Sequence, residues 1–151
     1  MPATSLPSVG SRVMGLDDPT KKMSKSAAGT GHAVALLDEP GVIRKKIMRA
    51  TTDSQPAVDF AQLGVGVINL LSIFQGFSGW SKERMEAHFA GMRYGSLKKQ
   101  VAEMVVSHLE PLQQRYREIT SDPGYLAGVL REGAERVSPI ADDTVRLVKQ
   151  R

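Results

Sequence analysis

Cysteine is absent from the 151 residues, which excludes disulfides, thiolate metal sites and a cysteine nucleophile. Aromatic residues make up only 5%, too few for a platform that stacks single-stranded bases on rings. No apolar run approaches the roughly 20 residues that cross a bilayer as a helix. The opening stretch, MPATSLPSVGSR, lacks the apolar core of a signal peptide, so the expected address is the cytoplasm. What the chain does have is a 41% apolar share beside 24% charged residues. That balance supports a packed core and excludes wholesale disorder. The length suits one domain, or a small domain plus a piece of another.

The formal charge of +4 is not spread evenly. Residues 1–50 carry eight Lys+Arg against four Asp+Glu, whereas residues 51–151 carry twelve of each. The excess is bunched into Lys21, Lys22, Lys25 and then Arg44, Lys45, Lys46, Arg49. Such clusters attract phosphate, on a nucleotide or on a nucleic acid backbone. A solvated basic surface is the plain alternative.

Residues 1–37 hold three prolines and four glycines with no helical period. They have too little apolar surface to fold alone and read as the edge of another domain. Without sheet neighbours this segment is expected to lack order. From Asp38 the pattern turns helical. Asp38-Glu39-Pro40 reads as an acidic cap with proline in the first turn. The apolar stretch from Gly64 to Gly79 predicts a helix buried on most faces. Ser81 starts a short helix to about Ala90. Ser96 opens a longer one, with Leu97, Val101, Met104, Val105, Leu109, Leu112, Tyr116 and Ile119 at steps of three and four. Asp122-Pro123 starts a last helix, which Pro139 is expected to kink or split. Met85, Met92 and Met104 read as core gap-fillers. His32, His88 and His108 read as surface or capping residues without a catalytic role.

The sharpest chemical feature is Lys22-Met23-Ser24-Lys25-Ser26, preceded by Asp18-Pro19-Thr20-Lys21. Two lysines three residues apart on a loop are able to turn toward one polyphosphate, with serine hydroxyls and loop amides as further donors. When a nucleophile displaces pyrophosphate, negative charge grows on the leaving group, and cations already in place lower that barrier. Lysine suits the task as a mobile point charge. An ordinary solvated Lys/Ser loop is the competing reading.

Those five residues match the KMSKS signature of class I aminoacyl-tRNA synthetases. The approach SRVMGLDDPTKKMSKS resembles that of bacterial-type tryptophanyl-tRNA synthetases, and the resemblance continues in register to the end of the chain. It runs through Leu36-Leu37-Asp38-Glu39-Pro40, Ile43-Arg44-Lys45-Lys46-Ile47, Ala50-Thr51-Thr52-Asp53-Ser54 and Gly66-Val67-Ile68-Asn69-Leu70-Leu71. Further on it includes Tyr94-Gly95-Ser96-Leu97-Lys98-Lys99, Leu109-Glu110-Pro111-Leu112-Gln113 and Glu132-Gly133-Ala134-Glu135-Arg136.

The resemblance implies a mainly α fold. A helical bundle on the anticodon-binding side, residues 38–151, follows the KMSKS-loop edge of a Rossmann-type catalytic domain, residues 1–37, whose main part is absent. It also implies ATP-dependent activation of tryptophan to tryptophanyl-adenylate and transfer to the cognate tRNA. Lys22 and Lys25 then stabilise the pyrophosphate leaving group. ATP is held by Val13, Lys22, Met23, Ser24, Lys25 and Ser26, with backbone groups of Val13 and Met23 on the adenine. Magnesium is expected on the ATP phosphates, with no tightly bound cofactor and no metal site of the chain's own. The family's histidine signature and tryptophan pocket lie in an N-terminal half, and neither is found here. The chain is therefore expected to need that complementary half, and to be inactive alone. The family is homodimeric.

For Arg44, Lys45, Lys46 and Arg49 a tRNA-backbone contact competes with an ordinary charged helix face. A non-catalytic tRNA-binding module derived from the synthetase tail is the alternative function. Locally, Ala27 stands where the family has an acidic residue, and Val65 where it has proline.

Overall fold

The computed structural model describes residues 10–27, 29 and 31–150; the first nine residues of the lead-in, with Ala28, Thr30 and Arg151, lie outside the described residues. Five helices follow in order: α1 Pro40–Met48, α2 Val65–Ser78, α3 Lys82–Phe89, α4 Tyr94–Thr120 and α5 Pro123–Lys149. The mainly α class read from the periodicity is what the chain adopts. Among the described residues the only β pairing is an isolated antiparallel bridge between Met14 and Lys22.

A first compact unit extends to Glu110 and a second begins at Pro111. In the first, each helix offers one apolar stripe to a shared core. Ile43 and Ile47 of α1, one turn apart, are fully buried. Val67, Leu70, Leu71 and Phe74 of α2 lie on the same face by the 3.6-residue period. Met85 and Phe89 of α3 join them, and α4 adds Leu97, Val101, Val105 and Leu109. Phe74 meets Phe89 and Trp80 edge-on, with ring centroids 5.0 and 5.3 Å apart. Each such side chain contributes about 1.5–3 kcal/mol by leaving water.

Two of the five helix starts carry a side-chain cap. Ser81 accepts from the Arg84 amide and Asp122 from the Tyr125 amide, as expected of caps. At α1 the capping position is Glu39, and its side chain makes no cap bond. The neighbouring Asp38 carboxylate instead accepts from the Ala35 amide and the Lys46 ammonium. Gly66 permits the close seat of α2: a Cβ there would stand 2.0 Å from the Thr51 carbonyl oxygen.

One expectation differs from the structure. The lead-in is not without order over residues 10–27, because it has its own anchor: Leu16 is buried in the core and its carbonyl accepts from the Thr51 amide at 2.7 Å. α2 is buried over most of its circumference, as its apolar run predicts, and leaves Val65 and Ile68 exposed on the remaining side. Of the two effects expected of Pro139, a split is not seen: α5 runs through it to Lys149. Proline deprives the carbonyl four residues earlier of its partner; that residue, Glu135, is exposed to solvent.

In the second unit, α5 buries none of its residues. Val129, Leu130, Val137, Ile140, Leu147 and Val148 are all exposed.

Candidate phosphate-binding loop

The loop carrying Lys22 and Lys25 stands on a short two-armed base. One arm is Val13 to Leu16, the other Lys21 to Met23. The Met23 amide donates to the Val13 carbonyl at 3.0 Å, and the Gly15 amide to the Lys21 carbonyl at 2.8 Å. Between the arms, Asp18 builds the turn. Its carboxylate accepts from the amide and hydroxyl of Thr20 and pairs with Lys21 at 2.9 Å. The Thr20 hydroxyl first, and then Lys21, lower the Asp18 pKa to about 2. Pro19 supplies a fixed φ between these groups.

Two buried polar residues hold this base from outside. Asn69, in the middle of apolar α2, accepts from the Met14 amide and donates to the Met14 carbonyl, both at 2.9 Å. His32 receives the Leu16 amide on its own carbonyl. Its ring touches the Asp17 carboxylate through Nδ1 at 2.6 Å and the Lys22 carbonyl through Nε2 at 3.0 Å.

Beyond the base, Lys22, Ser24, Lys25 and Ser26 are exposed, while Val13 and Met23 are half-buried. The Ser24 hydroxyl accepts from the Ser26 amide at 3.3 Å, and the Ala27 amide donates to the Ser24 carbonyl. This turn presents Lys25 at its tip. Neither Lys22 nor Lys25 has an ion-pair partner among the described residues, so both ammonium groups are available to an anion. Val13 and Met23, with Leu16, Val34, Ile73 and Phe77, also line an apolar cavity of about 450 Å³.

The second basic cluster divides in two. Arg44 is spent on α4, its Nε and Nη2 donating to the two oxygens of Glu103 at 2.8 and 2.9 Å. That contact keeps the Glu103 carboxyl below its ordinary range. Lys46 is turned inward, with Nζ 2.6 Å from Asp38 and 2.9 Å from the Ala33 carbonyl. Lys45 and Arg49 are exposed and have no ion-pair partner among the described residues. The structure thus brings Val13 and Met23 together with Lys22 through Ser26, and leaves Lys45 and Arg49 as a separate exposed pair at the end of α1.

Sequence reasoning missed Asn69 and gave His32 no role. Asn69 was detectable as a polar residue within an apolar helix, which needs a partner once buried. His32 carried no such signal, because its partners lie ten and fifteen residues back and become neighbours only when the loop closes.

The family model of class I tRNA synthetases (W and Y) matches residues 4–110. A tryptophan–tRNA ligase of Wolinella succinogenes is 49% identical over 151 residues, covering 100% of this chain and 46% of that enzyme. One from Helicobacter pylori is 46% identical over 150 residues, covering 99% of this chain and 45% of the enzyme. The crystal structure of tryptophanyl-tRNA synthetase from Mycoplasma pneumoniae superposes with a TM-score of 0.74 at 29% identity, over 95% of this chain and 44% of that one. The chain spans less than half the length of these relatives.

Proposed function

Because the chain belongs to the class I tRNA synthetases of the tryptophan and tyrosine group, we propose that it supplies the ATP-phosphate loop and the anticodon-side helices of a tryptophan–tRNA ligase. The observation that carries this reading is the pair Lys22 and Lys25. Both are exposed, without an ion-pair partner among the described residues, on a loop whose base is pinned at Met14, Leu16 and Lys22. In the proposed reaction the tryptophan carboxylate attacks the α-phosphorus of ATP. The bond to the β-phosphate bridge breaks, and pyrophosphate departs with the electron pair. Lys22 and Lys25 neutralise the charge that grows on it, while Ser24, Ser26 and the loop amides donate to its oxygens. A hydroxyl at the 3′ end of the tRNA then attacks the acyl carbon and AMP leaves. Magnesium arrives on the nucleotide as part of the substrate. Val13 and Met23 present backbone groups to the adenine.

On this reading residues 1–37 are the edge of a catalytic domain and residues 38–151 its helical anticodon-binding companion. The tryptophan pocket belongs to a complementary N-terminal half, with which the assembly forms a homodimer. ATP–pyrophosphate exchange tests it: none is expected from the chain alone, and exchange appears when the N-terminal half of a relative is added. Exchange by the isolated chain overturns the division of labour. In the reconstituted pair, Lys25→Ala should slow activation by about 10²–10³ with little change in ATP affinity, the mark of a group that acts on the transition state. Equal losses in both would leave Lys25 a ground-state binder only.

A non-catalytic tRNA-binding module is the second reading, favoured by the exposed Lys45 and Arg49. It separates from the first by binding tRNA with a steep salt dependence while ignoring ATP.

A further inference from the structure

Each nitrogen of the His32 ring faces an atom that only accepts. Nδ1 meets a carboxylate oxygen of Asp17, and Nε2 meets the backbone carbonyl of Lys22. A neutral imidazole has one N–H, so it would satisfy one contact and turn a lone pair on the other. The imidazolium donates to both. The residue is only 5% exposed, so water is poorly placed to replace a missing partner. Its seat is shaped for the ring: a Cβ on Gly15 would stand 2.2 Å from Cε1 and 2.5 Å from Nδ1.

We propose that His32 is a positioning residue for Lys22: a doubly protonated strut that ties the returning chain to the turn at Asp17 and to the Lys22 arm of the loop base, so that a single proton sets how firmly the loop is held. Its consequence for pyrophosphate rests on the reading of the loop given above; the strut itself does not. The charges around the ring agree. Asp17 touches it directly, and Asp18 lies on the same turn with Lys21 paired to it. Lys22 offers the ring its carbonyl. From α1, Lys46 approaches the segment that follows His32 but is bonded to Asp38 and the Ala33 carbonyl. The Lys22 carbonyl and then the Asp17 carboxylate raise the ring's pKa above 6.5, against the opposing effect of burial. A raised value means that the folded state holds the proton more tightly. The strut is therefore complete below pH 6.5 and is lost as pH rises through the raised value.

Nitrogen-resolved NMR of the whole chain tests this without nucleotide. Both His32 nitrogens should be protonated at pH 6.5, with a titration midpoint above that value. Asp17→Asn, which removes the carboxylate charge from a partly exposed position, should bring the midpoint down. Amide-exchange protection at Met23, corrected for the intrinsic effect of pH, should fall several-fold across the wild-type midpoint. A bare nitrogen at pH 6.5, a midpoint indifferent to Asp17→Asn, or protection unaffected by deprotonation each overturns the proposal. Since no arm uses ATP, failure here is distinct from failure of the phosphate-loop reading.

Discussion

The Asn69 side chain and the Met14 backbone form a closed ring of two hydrogen bonds, each 2.9 Å long. A carboxamide presents a donor and an acceptor side by side, as a neighbouring strand would, so α2 gives Met14 the pairing a sheet would otherwise supply. Asn69→Leu keeps the γ-branched shape and leaves both Met14 groups without partners. The expected loss is about 1–3 kcal/mol, read as a lower urea midpoint at unchanged slope. An unchanged midpoint would mean that water replaces the amide at no cost.

Val65 opens α2, after Gly64 in extended backbone at φ −72° and ψ 153°. Residues before proline favour that conformation, and a first helical turn does not need its own amide. Val65→Pro should therefore stabilise the chain by about 0.4–1 kcal/mol, chiefly by restricting the unfolded state. Thermal unfolding checks it, and a lowered midpoint would show that the Val65 side chain matters more than its exposure suggests.

The α1 patch separates binding from stability. Lys45→Glu with Arg49→Glu should weaken tRNA binding and reduce the slope of log affinity against log salt by about one for each phosphate no longer neutralised. Lys46→Ala should instead lower stability, because it releases Asp38 and the Ala33 carbonyl. If tRNA affinity follows Lys46 and ignores Lys45 and Arg49, the patch has been assigned to the wrong side chains.

Acid should loosen the turn under the loop. The Asp18 carboxyl has its pKa lowered from 3.8 to about 2, so its contribution is present above pH 3.8 and is lost as pH falls through about 2. Carbonyl-carbon NMR of Asp18 should show that midpoint. Thr20→Val, which removes the hydroxyl donor, should move it upward. A midpoint near the ordinary carboxyl value in both proteins would deny the turn its geometry.

Much of this was legible in the sequence because the signals were local. Ser81 and Asp122 announce helix starts through donors within the next turn. The stripe from Leu97 to Leu109 follows a period that a window of residues contains. Lys22 to Ser26 are recognisable as letters, and the loop needs no distant partner to expose them. What stayed hidden depends on pairs far apart in sequence. Asn69 and Met14 are 55 residues apart, and Arg44 and Glu103 are 59. Arg44 and Lys46 look alike in a basic run, yet one lies along α4 and the other is folded inward. Only packing tells them apart from Lys45 and Arg49.

The bare surface of α5 has a spectroscopic consequence. A helix with no fully buried residue relies mainly on its own backbone bonds and its Asp122 cap, and such helices unwind gradually from the ends. The chain's single tryptophan, Trp80, packs against the core of the first unit, its ring beside Phe74 and Arg84. Its fluorescence reports on the core of the first unit, whereas ellipticity counts all five helices. Heating should therefore yield two melting curves from one sample: a sloping loss of helix, and a later, steeper change in emission.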